Sequence, residues 1–366
     1  MTLIATFAVE GFPVVFGDLL LTGMTINDTA VAVPALGEVQ NFFGEDSGWS
    51  VRGLRQKLNL INDRCVIGWT GNLASSRFAI NELRKMASQG ELTIEAIMDY
   101  LLNNPKVKED NDSFVGLFFD GEFLHPFQVR AEQFTSSSLG QVYRMGSGST
   151  VFDDLEKNTV GMKTRKTGNA NAAALGISMG LMLGGMLLDK EFRGGESAET
   201  IRHLFGGGYE VAFFVNGNMQ KLEEVTYLLW EASLTMSGDV RLTAPQLLVK
   251  QQYLGDNLII RSVKTEATEH GMKAIDEQWH VVSPVFETAK PTEQEIKAIT
   301  LYSPLVCHCI LVSREGQAPG IYTRVQLCST KEDAVFDIEE QGDKVLFGFR
   351  HEAMQQIADA LKQFRS

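Results

Sequence analysis

Three apolar stretches each fold back on themselves over a short turn, and this constrains the fold more than any other feature. Residues 2–9 and 13–18 flank Glu10-Gly11-Phe12. Residues 113–119 and 122–129 flank Asp120-Gly121, and 209–216 and 220–229 flank Asn216-Gly217. Asp-Gly and Asn-Gly suit tight hairpin turns, because their backbones tolerate the left-handed conformations such turns need. The strands are mostly apolar rather than alternating, so both faces are expected to be covered.

Helical spacing fills the gap between the first two strand blocks. Asn72 stands ready to cap a helix over about 73–88, with Leu73, Phe78, Ile80, Leu83 and Met86 on its apolar side. Thr93 starts a second helix reaching about Asn103. Further on, Ala172 to Leu188 runs for seventeen residues without a charge and carries Gly176, Gly180, Gly184 and Gly185. That length is short of the ~20 residues a membrane span needs, so it reads as a buried helix packed closely on its neighbours. Strand blocks, helices, then strands again suit two stacked sheets between helix layers.

Residues 236–366 read differently. Strands are expected near 257–264, 279–286, 305–313, 320–328, 334–338 and 344–349, with a capping box at Thr292 and an amphipathic helix closing the chain. The expected division is therefore residues 1–235 and an α+β extension over 236–366. Residues 23–52 form a long connection holding Phe42, Phe43 and Trp49. It is either a functional loop or a surface excursion whose aromatics pack locally.

The charge of the 366-residue chain is −13, which disfavours nucleic acid and an anionic membrane surface as partners. The first basic residue is Arg52, so the opening residues lack the positive region of a secretory leader. Four cysteines (65, 307, 309, 328) follow no disulfide framework, and a cytoplasmic location is expected. Cys307-His308-Cys309 places its sulfurs on one strand face and its imidazole on the other, which makes no zinc site. No metal is expected. No phosphate-binding or dinucleotide loop appears, and no cofactor is implied.

The chemistry of the front end lies in a set of positions in register. Thr2 follows the initiator methionine, and removal of Met1 would leave a hydroxyl nucleophile and an α-amine base on one residue. Asp18 follows sixteen residues later. Lys57 opens Lys57-Leu58-Asn59-Leu60-Ile61, and Gly71 lies fourteen residues beyond it. Gly146-Ser147-Gly148 closes a later strand. In this order the residues resemble the proteasome β-subunit family of N-terminal nucleophile hydrolases, including its bacterial proteasome-like peptidases, over about residues 2–235.

The resemblance implies a four-layer αββα sandwich, and hence an α+β fold with a C-terminal extension. It implies a threonine peptidase in which Thr2 attacks an amide carbonyl, Lys57 and Asp18 tune the proton affinities, the Gly71 amide meets the oxyanion, and Ser147 supports the amine. Thr22 would pair with substrate backbone. Trp69 would floor a narrow pocket that favours small residues. It further implies a peptide or protein substrate and a homo-oligomer, with a ring among the family's assemblies, and leaves a partner ATPase or regulator open. The sequence departs from the family at its glycine run, where His203 stands at the usual acid position and Gly206 at the usual serine. A catalytically silent scaffold is the alternative reading.

Overall fold

The computed structural model describes residues 2–24, 31–39, 42–43, 48–153, 170–235, 239–269, 271–328, 336–341 and 344–363. The helix expected near 150–157 falls partly outside these, as do parts of the 23–52 connection. The chain divides into two compact units. The first is Met1–Gly184, Lys190–Leu222 and Val282–Ala289; the second is Gly185–Asp189, Glu223–Val281 and Lys290–Ser366.

In the first unit the N-terminal hairpin forms as its turn residues require. Ile4–Val9 pairs with Phe12–Asp18, and Glu10 and Gly11 take the left-handed backbone of the turn. A six-stranded sheet grows around this pair in the order Glu132–Ser136, Gly140–Met145, Ile4–Val9, Phe12–Asp18, Tyr209–Val215, Asn218–Lys221. A separate four-stranded sheet has the order Leu124–Val129, Ser113–Phe119, Cys65–Thr70, Leu58–Asn62. Ile4, Val15, Leu58, Val66, Val115, Leu117, Met145 and Ala212 form one buried cluster drawn from both sheets. Each of the larger side chains stabilises the fold by roughly 1.5–3 kcal/mol on burial.

Leu73–Ser88 is capped by the Asn72 side chain and Ile94–Asn103 by Thr93, as their sequences predict. Both helices pack through Ala79, Ile80, Leu83, Ile97 and Leu101 against Ile67, Phe114 and Phe127 of the four-stranded sheet. The charge-free segment lies within a helix, Ala170–Gly194. Its stretch from Ala172 is long and apolar enough to cross a membrane by length and composition alone, yet more than half of that window is buried. Gly176 and Gly180 account for the close approach: a Cβ at either would press on Phe12, or on Val14 and Val211.

The second unit is built on a nine-stranded sheet. Its order is Gly320–Leu327, Leu305–Arg314, Glu224–Leu234, Leu247–Leu254, Asn257–Thr268, Gly271–Val282, Lys344–Phe349, Phe336–Gln341, with Val240–Leu242 joined to the side of Glu224–Leu234. The sheet is mixed, because Glu224–Leu234 runs parallel to Leu305–Arg314. Its core gathers Leu228, Trp230, Leu248, Val263, Ile310 and Val312, with Ile357 and Leu361 from the terminal helix His351–Gln363.

These observations correct the expected four-layer αββα sandwich with an α+β extension. The chain is mostly β, with 45% strand against 26% helix, and its strands are spread over several sheets. The region read as an appendage organises the largest of them. The strand at 224–234, read as the second arm of the Asn216-Gly217 hairpin, instead joins that sheet, and the hairpin closes with the short Asn218–Lys221. Segment order alone does not decide which sheet a strand enters, since its long-range partner leaves no local pattern.

Candidate active site around Thr2 and Asp18

Thr2 lies just ahead of the Ile4–Val9 strand and is fully buried. Its carbonyl accepts the Gly148 amide at 3.1 Å. A Cβ at Gly146, where φ is +92°, would sit 2.0 Å from that carbonyl oxygen, and one at Gly148 would press on Leu3 and Phe205. The Gly146-Ser147-Gly148 bend is glycine-rich because the backbone at Thr2 runs directly against it. The Ser147 hydroxyl oxygen is buried without a hydrogen-bond partner among the described residues.

The Thr2 hydroxyl donates to Asp18 Oδ1. Asp18 ends the Phe12–Asp18 strand and collects three backbone amides as well: Leu3 at 2.9 Å on Oδ1, with Leu20 at 3.3 Å and Gly206 at 2.9 Å on Oδ2. Lys57 is also buried, its ammonium 4.7 Å from the centre of the Trp69 ring. Burial raises the Asp18 carboxyl above its usual range, with Lys57 and the hydrogen bonds opposing the rise. Burial likewise lowers the Lys57 ammonium, against the attraction of Asp18 and Glu210. The attraction between the two groups favours the charged form of each against the cost of burial.

The structure thus gathers Thr2, Asp18, Lys57 and Gly206. The remaining residues take other positions. Gly71 is exposed after the Cys65–Thr70 strand, with φ at +120°. The group packed against it is Asp112, whose Oδ1 accepts the Asn72 amide at 2.7 Å and lies 2.2 Å from where a Gly71 Cβ would stand. Trp69 is a core residue; its indole N–H donates to the Gln56 carbonyl at 3.2 Å. Thr22 sits in Leu20–Gly23, which pairs with Ser50–Leu54 through a register shift, and its hydroxyl oxygen is buried without a partner among the described residues. His203 is exposed, just past the short Glu199–Arg202 helix. In the 23–52 connection, Phe42 and Phe43 pack on a local cluster of Leu20, Val33, Val39 and Val51.

Two acids near this cluster escape a reading of the sequence. Glu210 accepts the Lys57 amide at 2.9 Å, the Leu58 amide at 3.2 Å and the Lys221 ammonium at 2.7 Å. Glu191 is fully buried at the end of the apolar helix. It accepts the Tyr209 hydroxyl on Oε1 at 2.6 Å and the Gly207 amide on Oε2 at 3.3 Å. Burial first, and then the neighbouring Asp18 charge, push its carboxyl up to about 8. The only signal in the sequence is an acid a few residues past a long charge-free run, behind Asp189 and Lys190.

Glu191 also explains the glycine at 206. The backbone there has φ +120°, and a Cβ would fall 2.4 Å from Glu191 Oε1. Gly206→Ser is accordingly expected to destabilise the fold by about 2–4 kcal/mol, from backbone strain plus overpacking. Urea denaturation checks this; a loss under ~0.5 kcal/mol would show that Glu191 yields its place freely.

In the second unit, the Cys307 and Cys309 sulfurs lie 4.0 Å apart on one strand face, while His308 packs at a tilt against Trp230 and meets Gln326 at 3.3 Å. Among the described residues no group of three or more potential metal ligands occurs. No protein-family model and no curated protein matches this chain.

Proposed function

We propose that the chain is a threonine-type N-terminal nucleophile amidohydrolase acting on peptide or protein substrates. The observation that carries this reading is the buried hydrogen bond from the Thr2 hydroxyl to Asp18, with the buried Lys57 ammonium attracted to the same carboxyl. Removal of Met1 leaves the α-amine on Thr2. An unperturbed α-amine has a pKa near ~8, so it is partly neutral and proton-accepting at neutral pH. The Thr2 Oγ attacks the amide carbonyl, its proton passing to that amine. The amine then protonates the departing nitrogen as the carbon–nitrogen bond breaks, leaving an ester on Thr2. Water attacks the ester, returns the proton through the same amine, and frees the acid product. Lys57 supplies positive charge beside the hydroxyl, and Asp18 keeps that charge in place. The oxyanion role of Gly71 rests on the resemblance alone.

One observation favours a silent scaffold: Thr2 is fully buried and its hydroxyl is engaged by Asp18. Intact-mass spectrometry with a peptidyl epoxyketone separates the two. The amidohydrolase loses Met1 and gains one covalent adduct, which Thr2→Ala abolishes. A protein that has lost Met1 and gains no adduct is the scaffold.

A further inference from the structure

Glu191 and Asp18 hang from adjacent amides of one glycine turn. The Gly206 amide donates to Asp18, and the Gly207 amide donates to Glu191. Both glycines, and Gly208 after them, take positive φ, at +120°, +72° and +112°. Glycine takes such a backbone without steric cost, and here two buried carboxyl groups and the Tyr209 hydroxyl fix where it lies. Tyr209 is itself the residue paired with Asp18 across the sheet, so the Glu191–Tyr209 bond returns to the same place by a second route.

The geometry points to Glu191 as a positioning residue of the Thr2 site: through the Gly206-Gly207 turn and Tyr209 it fixes Asp18, and it does so as an uncharged acid. This rests on the amidohydrolase reading given above. The groups facing Glu191 are Asp18 on its strand, Tyr209 on the neighbouring strand, and the uncharged Thr200. Lys57 faces Asp18 rather than Glu191. Burial and the Asp18 charge both favour the neutral acid at Glu191, in keeping with a carboxyl pushed up to about 8. Its ionisation would set a second negative charge beside Asp18. That charge would raise the proton affinity of Asp18 and of the nearby Thr2 amine, and the nucleophile would lose its base.

The test is the rate of epoxyketone labelling against pH for the full-length protein with Met1 removed, compared with E191Q, E191A and the Thr2→Ala blank. Glutamine keeps the shape and the neutrality. E191Q should match the wild type within about twofold near pH 6.5, and exceed it by about fivefold or more near pH 9, where the wild-type rate falls. E191A should label about tenfold more slowly than either at every pH, with an unchanged circular dichroism spectrum. Superimposable wild-type and E191Q profiles would overturn the role of Glu191 and leave the Thr2 reading standing. A wild-type protein free of Met1 that never labels would overturn both. E191Q carries the decision if E191A fails to fold.

Discussion

Asp18→Ala is expected to cost the protein at least about 4 kcal/mol of stability and all labelling at Thr2. The carboxylate accepts the Thr2 hydroxyl and the amides of Leu3, Leu20 and Gly206, all of them buried. Each buried donor left without a partner costs about 1–3 kcal/mol. Lys57, buried to within 2% of its surface, loses its carboxylate at the same time. A buried ammonium that loses the attraction of a nearby carboxylate is driven further toward its neutral form, with Glu210 left to oppose that. These losses share groups and do not add in full, so the lower bound is the safer expectation. Asp18→Asn should fall between, since its amide oxygen still accepts while the charge is gone. Urea denaturation gives the stability, and intact mass after epoxyketone treatment gives the reactivity. An alanine variant within ~1 kcal/mol of wild type would mean that water replaces the carboxylate, and that the site is open rather than dry.

Local features of this fold were legible in the sequence, and long-range ones were not. The Glu10-Gly11 turn, the helix caps at Asn72 and Thr93 and the capping box at Thr292 all depend on residues within a few positions of one another. The Glu224–Leu234 strand looks in isolation like the return arm of a hairpin. One of its partners is Leu305–Arg314, paired in parallel with Thr226 opposite Val306, and nothing near it in the sequence records that choice. The four-layer expectation failed there, because a tract of strands and one terminal helix gave no sign that it would assemble the largest sheet.

The site divides in the same way. Thr2 and Asp18 belong to one hairpin, so their spacing carries their meeting, and Gly146 and Gly148 mark where backbone presses on Thr2. His203 was read into the site from its distance to the glycine run, yet the short helix before it turns it to solvent. Trp69 was read as a pocket floor, and it lies among core residues with its N–H satisfied. Nothing in the sequence around Glu191 marks it, because a glutamate near the end of an apolar helix ordinarily returns to water. Only the approach of Gly206 and Gly207 encloses it.

That enclosure should make stability depend on pH in a way one substitution removes. An exposed glutamate ionises near ~4.3, whereas Glu191 in the folded protein is pushed up to about 8. Its folded-state pKa is raised, so the stability it contributes is fully present below the unfolded value. That stability declines as pH rises, because the unfolded chain ionises freely while the folded chain must either hold the proton or bury a charge. Above about 8 the loss is complete. The shift corresponds to several kcal/mol, at ~1.4 kcal/mol per unit. E191Q is neutral throughout and escapes this decline. Urea denaturation of both proteins near pH 5, 7 and 9 should show the difference in unfolding free energy moving in favour of E191Q by about 3–5 kcal/mol across the range. Asp18, Lys57 and every exposed group are common to the two proteins, so the difference isolates residue 191 apart from its effect on Asp18. A difference that stays constant with pH would mean Glu191 ionises as readily folded as unfolded, and the neutral pocket proposed beside Asp18 would not exist.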